Sequence, residues 1–137
     1  MAKFEIGVDL DLIRRQLKGH EEKLDEITDK MLLAGADAAV AAQKASAQRH
    51  GHINTGDMLK SIKPTKIKKK DGEKSIEIYP HGKDRKGVSN AQKAFVLNYG
   101  RSNRAGSRWV EEATEQCSEP AQEAMAAVME EALKNAE

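Results

Sequence analysis

Large aromatic side chains are scarce in this chain: two Phe, two Tyr and one Trp among 137 residues. With 39% apolar residues, the core must rely on Ala, Leu, Ile, Val and Met, which suits close helix packing better than a thick sheet sandwich. Cysteine is scarcer still. Cys117 stands alone, which excludes an intrachain disulfide and suits a reducing compartment. No stretch approaches the roughly 20 apolar residues of a membrane helix. No long apolar run follows Met1, so a secretory signal is not expected either. These absences predict a soluble protein with no membrane association.

The spacings that carry catalysis are also missing. There is no HExxH, no CxxC and no nucleophile elbow. Gly100 to Gly106 only superficially resembles a phosphate loop, because GxxxxGK[ST] is absent. His50-Gly51-His52 is the one close histidine pair, and it reads as a helix end with two exposed imidazoles. His20 reads as a core or interface histidine, and Cys117 as a small buried hydrophobe on a helix stripe. Adjacent acids such as Glu111-Glu112 and Glu130-Glu131 fall on different parts of a helix surface. No catalytic residue, cofactor or metal site is expected, and the protein reads as a non-enzyme.

What is present is charge, unevenly spread. The formal net charge is +1, yet residues 1–59 carry 8 Lys/Arg against 10 Asp/Glu, 60–108 carry 14 against 4, and 109–137 carry 1 against 8. A basic middle and an acidic tail fit an intramolecular pairing, a contact between neighbouring copies, or a basic surface near nucleic acid. Solvated faces are the plainer alternative. Lys60, Lys63, Lys66, Lys68, Lys69, Lys70 and Lys74, with Lys83, Arg85 and Lys86, make the basic stretch. It lacks interleaved aromatics, which argues against stacking on single strands but leaves phosphate attraction open.

Periodicity predicts a mixed α+β chain: a long N-terminal helix, a short helix, a small antiparallel sheet with a hairpin, and a C-terminal helix. Phe4 to Val8 alternates like a short strand or an extended arm over 1–8, and Asp9 or Asp11 offers an N-cap. A helical stripe then runs through Ile13, Leu17, His20, Leu24, Ile27, Met31, Ala34, Ala38, Ala41 and Ala45, with Gly51 as its stop. Unbroken from 11 to 49 it would span about 58 Å. That is too long for one domain to cover, so it breaks near Gly19-His20 or packs on another subunit. Thr55 caps a turn or two presenting Met58, Leu59 and Ile62, and Pro64 stops it. Strands at 65–68 and 75–79 flank Asp71-Gly72, a dipeptide favoured in tight hairpins. The loop 80–90 is long and reads as mobile until bound. Asn90 caps a short helix to Tyr99, with a strand as the competing assignment. Ser107 caps the last helix, whose stripe is Val110, Ala113, Cys117, Ala121, Met125, Val128 and Ala132. Pro120 restarts or kinks it. The whole, 1–137, reads as one domain.

Residues 94–113 concentrate Phe95, Tyr99 and Trp109 around a polar loop, Arg101 to Ser107, and read as an architectural joint between two elements. Together with Thr55-Gly56-Asp57-Met58-Leu59-Lys60-Ser61-Ile62, this stretch resembles two signatures of the small head–tail joining (tail-completion, or minor tail) proteins of long-tailed bacteriophages. The matched positions are Thr55, Gly56, Met58, Ser61 and Ile62, then Phe95, Tyr99, Gly100, Trp109, Val110 and Ala113. Departures are Asn98, Arg101, Arg108 and Trp109, where the family usually has Glu, Thr, Pro and Phe. The resemblance implies a non-enzymatic virion protein that occupies the host cytoplasm during assembly. It further implies a ring, often of six copies, that is either preformed or assembled from free monomers. Its partners would be a neck connector and a tail-tube or tail-terminator protein. In such a ring Lys66, Lys68, Lys69, Lys70, Arg101 and Arg104 are the candidates to face a DNA-passing lumen or a neighbouring subunit. The alternative is a small DNA-binding protein that uses the lysine-rich hairpin.

Overall fold

The computed structural model describes residues 2–135; Met1, Ala136 and Glu137 lie outside them, so the arm expected over 1–8 is followed from Ala2 onward. Its architecture is α+β. Strand β1 (Phe4–Asp9) is an edge strand rather than a free arm. It runs antiparallel to β4 (Glu73–Pro80), from Phe4 opposite Ile78 to Asp9 opposite Glu73. The alternation anticipated from sequence turns Ile6 and Val8 inward. Asp9 then caps α1 (Leu10–Gln16), its carboxylate accepting from the Asp11 amide at 2.9 Å.

The long helix breaks where its glycine predicted. Gly19 takes φ +77°, a 3-10 turn covers Glu21–Lys23, and α2 runs from Leu24 to Arg49. His20 therefore falls in the break, half-buried, and not on the core stripe. Gly51 closes α2 at φ +74°: its amide donates to Gln48 O and the His52 amide to Ala47 O, the two bonds of a Schellman ending.

The buried face of α2 departs from the apolar trace in its second half. Gly35, Ala36, Ala39, Gln43, Ser46 and Ala47 are inside, whereas Ala41 is exposed and Ala34, Ala38 and Ala45 are only half-buried. The cause is two polar residues with backbone partners. Gln43 Nε2 donates to Ile78 O at 3.0 Å, and Ser46 Oγ donates to Trp109 O at 2.6 Å. A buried polar group that is hydrogen-bonded costs little, so α2 turns that face inward.

Helix α5 (Trp109–Asn135) lies antiparallel to α2. Arg49 near the end of α2 meets Glu112 near the start of α5, and Gly35 lies against Met125. At Gly35 three elements meet: a Cβ there would stand 3.0 Å from Met125 Sδ and 3.1 Å from Ile6 Cδ1. The stripe Val110, Ala113, Cys117 and Ala121 is buried as anticipated, with Met129 added, while Met125, Val128 and Ala132 are half-buried. Pro120 does not restart the helix. It sits exposed inside one continuous α5, where only one backbone bond is lost and the packed inner face is untouched.

β4 is the centre of the four-stranded sheet. It pairs with β1 on one side, and with β2 (Ile62–Pro64) and β3 (Lys68–Lys70) on the other. The hairpin turn is Asp71-Gly72 as expected, both residues at positive φ (51° and 77°). Its first strand lies at 68–70 rather than 65–68, because Thr65 bridges across to Glu77 instead: the Thr65 amide donates to Glu77 O at 2.8 Å. Helix α3 is a single turn, Asp57–Lys60. Ile62, expected to continue it, opens β2. Helix α4 spans Asn90–Tyr99, which excludes the strand assignment, and Ser89 rather than Asn90 caps it.

Candidate functional site

The aromatic joint is built by two helices that satisfy each other's ends. Gly100, at φ +87°, stops α4, and its amide donates to Val96 O. The next carbonyls of α4 accept from the residues entering α5: Leu97 O from the Ser107 amide at 2.9 Å, and Asn98 O from the Arg108 amide at 3.0 Å. In return, Asn98 Oδ1 accepts from the Val110 amide at 2.9 Å, in the first turn of α5. Asn98 is fully buried and also donates through Nδ2 to Glu111 Oε1 at 3.1 Å. A side chain of one helix therefore caps the other. Ser107, expected to be that cap, donates its hydroxyl to Leu97 O at 3.1 Å. Its oxygen accepts from His52 Nε2 at 2.8 Å, which fixes the imidazole proton on Nε2.

The polar loop between the helices is a two-stranded ribbon, β5 (Gly100–Arg101) against β6 (Arg104–Ala105), with Arg101 directly opposite Arg104. Its ends are sterically closed. A Cβ on Gly100 would lie 2.5 Å from Arg104 O, and one on Gly106 would lie 2.2 Å from Asn98 O. Only glycine admits such an approach.

The aromatics divide sharply. Trp109 is wholly buried, its Nε1 donating to Ala94 O at 3.4 Å, with His52 against it edge-on. Phe95 and Tyr99 are 44% and 40% exposed. They lie one turn apart on the outer face of α4, rings 4.8 Å between centroids, with the Arg108 guanidinium over Tyr99. Arg108 itself takes a left-handed φ of 59°. Of the remaining matched positions, Met58, Ile62, Val110 and Ala113 are buried in the core. Thr55 Oγ1 accepts from the Asp57 amide at 3.3 Å, Gly56 takes φ +83° before α3, and Ser61 Oγ donates to Met58 O at 2.7 Å. These residues shape the turn that carries Asp57.

Asp57 is the tie between that turn and the long loop. Both its oxygens accept from Arg85, at 2.9 Å each, and the Arg85 amide donates to it as well. The Arg85 guanidinium and amide hold the Asp57 carboxyl well below the ordinary carboxylate range. Asp84 plays the same part inside the loop, accepting from the amides of Lys86 and Val88 and pairing with Lys93 at 2.8 Å. The stretch 80–90 thus carries its own hydrogen-bond set and is docked on α3.

The basic stretch is less uniform than it looked. Lys74 is buried on β4 and paired with Asp29 at 2.8 Å and Asp25 at 3.0 Å. Burial pulls its pKa down, but the hydrogen bonds to Asp29 and Asp25 outweigh that and raise it. Lys68 pairs with Glu77, Arg85 with Asp57, and Lys93 with Asp84. Lys66, Lys69, Lys70, Arg101 and Arg104 are exposed and make no ion pair among the described residues. The lysines line one sheet edge; the arginines rise from the ribbon. The two sets are not brought together.

Beside the arginines lies an open groove of about 690 Å³, between the 51–56 segment, α4 and the ribbon. Ile53, Val88, Val96 and Leu97 form its apolar part, and Arg101 and Arg104 its rim. His52 reaches it too, and burial, with His50 and Arg104 nearby, keeps its pKa below the usual imidazole value. Among the described residues no three His, Cys, Asp or Glu side chains converge to hold a metal ion. Burial raises the Cys117 thiol pKa, so it stays protonated.

Several of these residues escape a reading by sequence. Asn98 looked like a departure from a pattern, yet it organises the joint. Arg85 looked like one more cation in a basic run, and nothing local announces Asp57 as its partner. His52 looked exposed, but it packs on Trp109. Against known proteins, a family model described as "Bacteriophage HK97-gp10, putative tail-component" matches residues 11–112. It runs from the second residue of α1 into the first turn of α5 and takes in all of the joint except Ala113. Neither curated proteins nor solved structures give a significant match.

Proposed function

The chain belongs to the HK97-gp10-like family of bacteriophage tail components, and on that premise we propose that it is a non-enzymatic virion protein that closes into a ring at the head–tail interface. In that role its copies pack side by side, six of them by the resemblance drawn above, between a neck connector and a tail-tube or tail-terminator protein. What carries this reading is the fate of the charges. Among the described residues, the one ion pair between a cation of 60–108 and a carboxylate of α5 is the local contact of Arg108 with Glu111 at 3.9 Å. Apart from that contact, the basic middle and acidic tail do not pair within one copy among the described residues, which leaves both for neighbours. Contacts between two different patches of one surface generate closed rings when the rotation between copies allows it.

Under this reading the edge lysines face the DNA-passing lumen or an acidic neighbour. Replacing Lys66, Lys68, Lys69 and Lys70 with Ser leaves the protein folded, with the melting temperature lowered by no more than about 8 °C, because each exposed substitution away from caps and cores usually costs under about 0.5 kcal/mol. Ring formation or infectious-particle assembly falls. Thermal melting and particle counts check both halves, and an unfolded variant overturns the assignment.

One observation favours a second reading. Lys69 and Lys70 on edge strand β3, and Lys66 in the segment before it, are exposed with no carboxylate partner among the described residues, as a phosphate-contacting edge would be. On that account the isolated protein retards duplex DNA, and the effect vanishes as salt rises. Rings with negligible DNA affinity decide for the structural role.

A further inference from the structure

We propose that the arginine-rimmed groove beside the β5–β6 ribbon receives the outer face of α5 from a second copy of this chain. This deepens the ring reading above and rests on it. The groove offers an apolar floor, chiefly Ile53 (47% exposed), Val96 and Leu97, beneath two cations, Arg101 and Arg104. Both arginines are solvent-facing and without ion-pair partners among the described residues.

The matching surface is on the same chain but elsewhere in the fold. Glu115, Glu119 and Glu123 follow one another at steps of four along α5, so they form one row on its exposed side, about 12 Å long. None of the three pairs with a cation among the described residues. Beyond them Ala126 and Ala127 are exposed on the same helix, small enough to let its backbone sit close to an apolar floor.

Charge complementarity selects this occupant. An acidic helix brought to the groove sets carboxylates against the rim and places small side chains over the floor. A duplex would satisfy the arginines but leave Ile53, Val96 and Leu97 under a phosphate backbone. The contact joins two different patches, so each copy offers one groove and one helix.

Two complementary variants isolate the contact. Arg101→Ser with Arg104→Ser removes the groove's cations and keeps the helix. Glu115→Gln with Glu119→Gln and Glu123→Gln removes the helix's charges and keeps the groove. All five positions are exposed, and unchanged circular dichroism is the folding control. Sedimentation equilibrium at low salt, up to about millimolar protein, is expected to show wild type associating beyond a dimer. Each variant alone should self-associate at least about tenfold more weakly, a loss of about 1.4 kcal/mol or more. Their mixture restores a single native contact and stops at a one-to-one pair, and that pair dissociates as salt is added.

Several results overturn the proposal. One is wild type that stays monomeric throughout this range; another is a mixture no stronger than either variant alone. If wild-type rings form and survive both sets of changes, the groove is not the interface, while the ring reading stands. If no rings form and the arginine variant instead loses affinity for a labelled 20-base-pair duplex, the groove is assigned to DNA and both readings fail.

Discussion

At the scale of single residues, Asn98 and Asp57 do the most with the least side chain. Asn98 is buried at the junction of two helices, and its Oδ1 accepts from the Val110 amide. Asn98→Ala strands that amide away from water and should cost about 1–3 kcal/mol, read by urea unfolding. Asn98→Asp keeps the acceptor but sets a carboxylate against Glu111, so it should recover part of the loss and recover more as pH falls and that charge is protonated. Equal loss from both variants, at every pH, would sink the cap. Asp57 gives a pH signature. Its folded pKa lies below its unfolded value, so the Arg85 tie contributes fully above about pH 4 and is lost as pH falls through the folded value. An NMR titration should find the Asp57 carboxyl still ionised at pH 3 and the Arg85 amide unmoved until lower pH. In Arg85→Ser the same carboxyl should titrate at higher pH than in wild type but still below the ordinary value of about 3.9, because the amide of residue 85 still donates to it. Because Arg85 is largely exposed, solvent screening keeps the change in stability small.

At the scale of elements, α5 poses the clearest question. It runs unbroken through Pro120, whose missing amide and ring crowding cost about 3 kcal/mol in a helix interior. The packing of Val110, Ala113, Cys117 and Ala121 against α2 offsets that cost. Pro120→Ala should therefore raise stability by about 1–3 kcal/mol, seen as a higher melting temperature. A lower one would mean the proline sets a bend that the fit to α2 requires. How much of this was legible beforehand follows from what each signal measures. Alternation found β1, the Asp71-Gly72 pair found the hairpin, and Gly19 and Gly51 marked the break and the end of the long helix, because these signals act within a few residues. The apolar trace lost α2 after Met31, since Gln43 and Ser46 are buried for partners on β4 and α5, 35 and 63 residues away. A partner 12 residues back hid the α5 cap: Ser107 had the right chemistry next to the helix, but Asn98 had the right place. Nor does the clustering of Phe95, Tyr99 and Trp109 say which ring the joint buries: Trp109 goes inside, while Phe95 and Tyr99 stay half-exposed on α4.

At the scale of the whole molecule, the parts make a frame with two unlike sides. The α2–α5 pair and the sheet form a shared core, and Gly35 lets α2 approach both β1 and α5. Among the described residues, the exposed cations of the sheet edge and of the ribbon lack ion-pair partners, and so does the carboxylate row of α5. A single copy leaves both unused, and a head-to-tail arrangement of copies uses both. The most direct measurement is the mass of the purified protein across a concentration series at low salt, with micrographs of its largest species. The account predicts a plateau at one fixed copy number and closed rings in the images, while a protein that remains monomeric at every concentration contradicts it.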